Sequence, residues 1–432
     1  MPESTSRFSS IDWLFAQQER GIHPGLERVR SLLEVLGHPE QGLQVVQVAG
    51  TNGKGSTTRI ISSILQAAAE HDLKWGPVGE FTSPHLFRFN ERIRVNGLEI
   101  TDQVIERLVS ELQAVHVRVP ATFFELITAL AVLHFREAGA RWAVLEVGLG
   151  GRLDSTTAIG ANASVITGIS LDHTAILGGT LEQIAFEKAG IIRPDVPVVT
   201  GAIGVALEVI QARAAELDAP IWVLGREILI HASKVSRDGI ELEIETPLGK
   251  LSSRSGLRGR HQLRNAALAM AVTQRLGVPV QAIQNGLENV NWPGRLELIP
   301  GNPSVLLDAA HNPEGAQALV EFVKLLAPRV VTLIVAGMKD KDLAGVAQVF
   351  AELEAQVIAT QPRLSPRAAM PEEIADHYPD ARIAPTVGAA LELARKITPD
   401  DGLIVVAGTI PLLAEVLEQI RGLSSEGRVR LQ

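Results

Sequence analysis

Short apolar runs alternate with amphipathic helical stretches along almost the whole chain, and this rhythm limits the fold more than any single residue does. The runs include Val45-Val46-Gln47-Val48, Trp142-Ala143-Val144-Leu145, Val165-Ile166-Thr167-Gly168-Ile169, Val305-Leu306-Leu307, Thr332-Leu333-Ile334-Val335 and Leu403-Ile404-Val405-Val406. Between them lie stretches such as residues 60–68, where Ile60, Ile61, Ile64, Leu65 and Ala68 share one helical face. Strands without polar alternation are buried on both faces. Helices must therefore cover both sides of mostly parallel sheets, and the predicted fold class is α/β. The 432 residues are 46% apolar and 21% charged, which is ample for more than one core. Aromatic residues are only 4%, so those cores rest on Val, Ile, Leu and Ala.

One region breaks the rhythm. Residues 222–252 read as short alternating strands, Ile228-Leu229-Ile230-His231 and Ile240-Glu241-Leu242-Glu243-Ile244, with Asp238-Gly239 as a hairpin signal. We expect a small antiparallel patch appended to the first sheet. Trp292-Pro293-Gly294-Arg295 is strong punctuation, and a second α/β rhythm starts after it. The expected organisation is an N-terminal phosphate-loop domain over 1–294 and a smaller Rossmann-like α/β domain over 295–432.

The most informative segment is Val48-Ala49-Gly50-Thr51-Asn52-Gly53-Lys54-Gly55-Ser56, between an apolar strand and a helix. Glycines let the backbone wrap a phosphate with its N–H groups, and the helix N-terminus adds positive potential. Lys54 is placed to reach the β- and γ-phosphates, and the Ser56 hydroxyl to meet Mg²⁺ or phosphate. The loop is a variant of the Walker pattern: Val48 stands where that pattern has Gly, and Gly55 follows the Lys.

Other polar residues sit at strand ends, where α/β folds collect ligands. Glu146 closes the 142–147 run and suits Mg²⁺ in the manner of a Walker-B acid. The next run leads to Asp172-His173-Thr174; because Mg²⁺ prefers oxygen, chemistry alone favours Asp172 over His173 as a ligand. Ser83 reads only as a loop hydroxyl. Lys188 ends a helix, where a cation ordinarily complements the dipole. Asp308 and His311, in Asp308-Ala309-Ala310-His311-Asn312-Pro313, follow another strand and could reach a nucleotide from the opposite wall of a cleft. Arg295 sits at the hinge, and Asn265 is an unremarkable helical Asn.

Taken together, these segments resemble a known family. TNGKGS (residues 51–56), SPHL (83–86), EVGLGGRLD (146–154), LDHT (171–174), EKAGI (187–191) and DAAHNP (308–313) look like folylpolyglutamate synthase, including its bifunctional dihydrofolate synthase form, within the Mur ligase superfamily. The resemblance runs from about residue 21 to about residue 408. It implies an ATP-dependent amide ligase that activates a carboxylate of folate or dihydropteroate as an acyl phosphate, which the amine of L-glutamate then attacks. By that resemblance Thr51, Asn52, Gly53, Lys54, Gly55 and Ser56 bind ATP phosphates, and Ser83, Glu146 and His173 hold Mg²⁺, which overrides Asp172. Lys188 matches a lysine that is carbamylated in the family and supports a second metal. Asn265, Arg295, Asp308 and His311 match nucleotide contacts. Phe124 matches an aromatic that packs on the pterin, and Arg152, Leu153 and Asp154 lie in the substrate loop. Two departures stand out: Gly21-Ile22-His23-Pro24 differs from the dihydropteroate-binding segment of some bifunctional members, and Thr157 stands where the family usually has Asn.

Lys and Arg number 40 against 49 Asp and Glu, for a net charge of −9, which disfavours nucleic-acid and anionic-membrane partners. Cys is absent, which excludes disulfides and thiolate chemistry. With no visible signal peptide or apolar span, the expected location is the cytoplasm, and superfamily habit implies a monomer. Two rival readings share the phosphate loop: a Mur-type ligase acting on a nucleotide-linked sugar acid, and a nucleotide switch without ligation.

Overall fold

A computed structural model describes residues 9–21, 23–363, 365 and 367–422. Its first sheet has eight strands: β1 (Gln44–Ala49), β2 (Val78–Phe81), β3 (Ile93–Val95), β4 (Leu98–Glu99), β5 (Trp142–Glu146), β6 (Ala163–Ile166), β7 (Val198–Thr200) and β8 (Ile221–Val223), in the order β4-β3-β2-β5-β1-β6-β7-β8. From β2 to β8 all neighbours run parallel; β3 and β4 pair antiparallel at one edge.

The apolar runs are strands because both faces are covered. Val46 and Val48 point into a core shared with Ile60, Ile61, Ile64 and Leu65 of the Lys54–Ala69 helix and with the His261–Arg275 helix. Val45 points the other way, into a core with Leu126, Leu130 and Leu133 of the Phe123–Glu137 helix. Ile64 is fully buried, so its truncation to Ala would cost about 2–5 kcal/mol.

The antiparallel patch differs in detail from the expectation. Strands β9 (Leu229–Ser236), β10 (Gly239–Thr246) and β11 (Gly249–Ser255) form a sheet of their own, and β8 remains the last strand of the first sheet. Ile240, Leu242, Ile244 and Leu251 face the first core, so helices, not strand pairing, join this sheet to the domain. Most of β9 is exposed; backbone pairing with β10 defines it, which an apolar pattern does not reveal.

After Gly294 a third sheet begins. Strands β12 (Glu297–Ile299), β13 (Ser304–Asp308), β14 (Val331–Val335), β15 (Gln356–Ala359), β16 (Arg382–Ile383) and β17 (Leu403–Ala407) take the order β12-β13-β17-β14-β15-β16, parallel except for β12. The Pro313–Leu326 and Leu343–Phe350 helices cover one face, and Val387–Ile397 and Ile410–Arg421 cover the other. All four start on a side-chain cap, from Asn312, Asp342, Thr386 and Thr409.

Candidate active site

Both parallel sheets aim their carboxyl ends at one cleft of about 1130 Å³, lined from residue 18 to residue 411. Strand β1 lies between β5 and β6, and its C-terminal end opens into the loop of residues 50–53. Two glycines there are obligatory. A Cβ on Gly50 (φ +145°) would lie 1.9 Å from Thr167 Oγ1, and one on Gly53 (φ +84°) would lie 2.3 Å from Asn265 Oδ1. The loop thus rests against Thr167, whose hydroxyl donates to the Asn52 carbonyl at 2.6 Å. It also rests against Asn265, whose amide donates to Gln262 at 3.0 Å, while Gln262 donates to Ser56 Oγ at 3.3 Å. Asn265 is therefore a loop support as well as a cleft-lining residue.

Lys54 Nζ donates to Thr51 O at 3.0 Å. Burial holds its pKa below 10.5, although Glu146 and Asp172 pull the other way. Glu146 closes β5 and is 4% exposed. Its Oε2 accepts the Ser83 N–H at 3.0 Å, so the SPHL loop and the strand-end acid form one unit. Burial raises the Glu146 pKa, against Lys54, the Ser83 N–H and Arg295. Gly55 leaves room beside this carboxylate; a Cβ there would sit 3.4 Å from it and 3.1 Å from Trp292.

His173 has left-handed backbone (φ +50°), with its N–H donating to Asp172 Oδ1 at 2.9 Å. Desolvation holds its pKa below 6.5, favouring the neutral ring. Asp172 is engaged across the cleft: Lys341 Nζ lies 2.6 Å from its Oδ1, with both side chains largely buried. Desolvation opposes the charge on Asp172, but this hydrogen bond and nearby cations outweigh it and its pKa falls. Lys188 is buried on the Leu181–Ala189 helix, and its Nζ donates to Gly50 O at 2.8 Å. Burial first, then Lys54, depress its pKa to about 7.

The opposite wall comes from the third sheet. Asp308 ends β13 and accepts the Leu296 N–H at 2.8 Å; burial raises its pKa while Arg295 lowers it. His311 is driven to about 4 by burial and Lys341. Its Nδ1 lies 2.9 Å from the Ala309 carbonyl, which can only accept, so Nδ1 carries the proton and Nε2 is left as an acceptor. Asn312 reaches across, donating to Asn52 Oδ1 at 3.1 Å, and Asn52 donates to Glu314 at 2.6 Å.

Residues 48–273 match the Mur ligase middle domain, and residues 294–410 match the Mur ligase, glutamate ligase domain. The dihydrofolate synthase/folylpolyglutamate synthase of Escherichia coli is 33% identical, over 99% of each chain. The Bacillus subtilis protein of that name is 39% identical over 76% of this chain and 79% of its own. The chain belongs to the folylpolyglutamate synthase/dihydrofolate synthase family. Its fold superposes on Escherichia coli FolC in complex with DHPP and ADP with a TM-score of 0.88, at 31% identity over 98% of this chain and 99% of that one. A family structure with Mn, AMPPNP and L-glutamate bound gives 0.85, at 31% identity over 97% and 100%. The chain spans about half the length of a Haloferax volcanii relative, 35% identical over 94% of this chain and described as a probable bifunctional folylpolyglutamate synthase/dihydropteroate synthase.

Of the site residues that the family resemblance assigned, all but Lys188 line this cleft. Ser83, Phe124, Arg152, Leu153 and Asp154 line it beside the loop residues 51–56, Glu146, His173, Asn265, Arg295, Asp308 and His311. Lys188 lies just beneath, on the Gly50 carbonyl. Phe124 packs on Gly148, where a Cβ would lie 2.4 Å from its ring, and tilts against Phe81. Arg152 binds Glu187 at 2.8 Å and covers Phe186. Asp154 is almost fully buried and accepts from Gly148 N, Leu149 N, Thr156 N and Thr156 Oγ1, all within its own loop.

Sequence reasoning missed Thr167, Gln262 and Lys341. Thr167 and Gln262 support the phosphate loop through contacts between distant segments, which carry no local signature. Lys341 stood in a plain charged string, Lys339-Asp340-Lys341-Asp342.

Proposed function

We propose that this chain is an ATP-dependent ligase that adds L-glutamate to reduced folates, and to 7,8-dihydropteroate, through an acyl phosphate. The observation that carries this reading is the convergence of Lys54, Glu146, Arg295 and Asp308, from both sheets, on one cleft. We place the division into lobes at 1–294 and 295–432.

Loop N–H groups and Lys54 bind the triphosphate, and Arg295 faces it from the other wall, while neutral His311, with Nε2 as an acceptor, suits a hydroxyl of the nucleotide. The γ-phosphoryl group passes to the substrate carboxylate, leaving ADP. The neutral glutamate amine attacks the acyl carbon and loses a proton to solvent, the tetrahedral intermediate expels phosphate by breaking its C–O bond, and an amide remains. No covalent enzyme nucleophile is needed; positioning and charge stabilisation do the chemistry. Phe124 and the loop of Arg152, Leu153 and Asp154 would hold the pteroyl end.

The donors suit Mg²⁺. Glu146 is a buried carboxylate with Gly55 leaving space beside it, Ser83 brings a hydroxyl, and His173 favours a neutral ring. Among the described residues no three His, Asp or Glu side chains form a cage. Mg²⁺ commonly needs only one or two protein groups, with phosphates and water completing its shell. Bound there, it would neutralise charge on the transferring phosphoryl group.

A pKa near 7 supports carbamylation of Lys188. About half the amine is then neutral at pH 7; it attacks CO₂, forms an N–C bond and loses a proton, giving an anion that could support a second metal. We place the enzyme in the cytoplasm as a monomer. No helix among the described residues is long and apolar enough to cross a membrane.

The test is phosphate release, expected only when ATP, Mg²⁺, a reduced folate and glutamate are all present. ATP turnover indifferent to folate and glutamate refutes the reading. Mass spectrometry of products from dihydropteroate and tetrahydrofolate in parallel decides between one activity and two.

A further inference from the structure

We infer that Gln47 is a positioning residue that fixes the substrate loop against the strand carrying the phosphate loop; this rests on the function proposed above. Gln47 is a polar side chain in the otherwise apolar interior of β1, paired in register with Leu145 and Ser164, and it is fully buried. Its Nε2 donates to Thr156 Oγ1 at 2.9 Å and to Thr157 Oγ1 at 2.7 Å.

The network fixes its own polarity. Thr156 Oγ1 donates to Asp154 Oδ1 at 2.6 Å, and Thr157 Oγ1 donates to the Gly151 carbonyl at 2.7 Å. Each hydroxyl has spent its one proton, so each needs a donor from below, and the Gln47 amide supplies both. Asp154 passes the restraint on through its other oxygen, which accepts Gly148 N and Leu149 N at 3.0 Å. One amide thus holds the loop at its two ends, at 148–149 through Thr156 and Asp154 and at 151 through Thr157. Arg152 lies on that loop, and Gly148 seats the Phe124 ring.

Three residues after Gln47, the same strand delivers Gly50, whose carbonyl binds Lys188. Gly151 packs against that lysine's helix; a Cβ there would lie 3.0 Å from the Lys188 carbonyl. A single β1 side chain therefore sets the distance between the phosphate-binding and pteroyl-binding parts of the cleft. Thr157 is one of the two anchors that Gln47 holds.

The test is Gln47→Met, which keeps the volume and removes the amide. It should fold. The threonine protons keep their acceptors, and the Gln47 Oε1, which has no partner, disappears with the side chain. The expected result is a rise of about tenfold in KM for the folate substrate, with KM for ATP unchanged within about twofold. Thr157→Val should raise folate KM in the same sense, and the double variant should show less than the product of the two effects. Folate KM unchanged in Gln47→Met, or folate and ATP KM rising together with a fall in Tm, overturns the inference. If Gln47→Met fails to fold, Thr157→Val in the native background puts the same question. Wild-type enzyme without folate- and glutamate-dependent phosphate release refutes the proposed function instead, so the two failures are distinct.

Discussion

Lys188→Met removes a buried amine whose charge the fold disfavours, and the consequence for stability can be worked out. The lysine pKa falls from 10.5 to about 7 on folding. Between those values the unfolded chain binds more protons than the folded one. The lysine's contribution to stability therefore rises with pH in that window and is least favourable below pH 7. Met carries no such term, so the stability advantage of the variant is greatest at pH 6 and shrinks as pH rises. Between pH 6 and pH 9 the shrinkage is about 2–3 kcal/mol, at about 1.36 kcal/mol per pKa unit and allowing for partial titration at both ends. Urea unfolding followed by tryptophan fluorescence suits the measurement, because Trp13, Trp75, Trp142, Trp222 and Trp292 all precede the second lobe. Degassed, CO₂-free buffer keeps the amine unmodified. A difference between wild type and variant that stays flat from pH 6 to pH 9 refutes the argument. Bicarbonate should then stabilise wild type at pH 8 and leave the variant unmoved.

Three further outcomes are expected. Lys54→Met should lower kcat for phosphate release about 10²–10³-fold, the usual effect of losing one charged group at a transferring phosphoryl. Lys188→Ala should lose most ligation and regain part of it with added short carboxylic acids, read as amide formed per minute; full activity without them removes the carbamate role. Asp172→Asn and Lys341→Met break an ion pair between the lobes at 2.6 Å, so a double-mutant cycle on unfolding should give a coupling of about 1–3 kcal/mol. A coupling near zero would mean that the contact holds nothing together.

Local signals made much of this protein legible. The run of residues 45–48 became β1, and the periodic residues 60, 61, 64, 65 and 68 became one buried helix face, because period and apolarity report burial directly. The glycine-rich loop could be placed because only glycine tolerates its backbone and its close neighbours. Lys188 was legible only through family resemblance. Its composition and position mark a dipole-complementing cation, and its low pKa comes from the segments that bury it.

The apolar runs, the amphipathic helix faces and the positions of the phosphate loop and strand-end acids were therefore determined by the sequence alone, since each shows as a pattern of residue types within one short segment. Tertiary structure decided which distant groups meet: Asp172 with Lys341, Asn52 with Asn312, and Gln47 with Thr156 and Thr157. A side chain's charge state and partners depend on what surrounds it in space, and that is settled only when the sheets close on a common cleft.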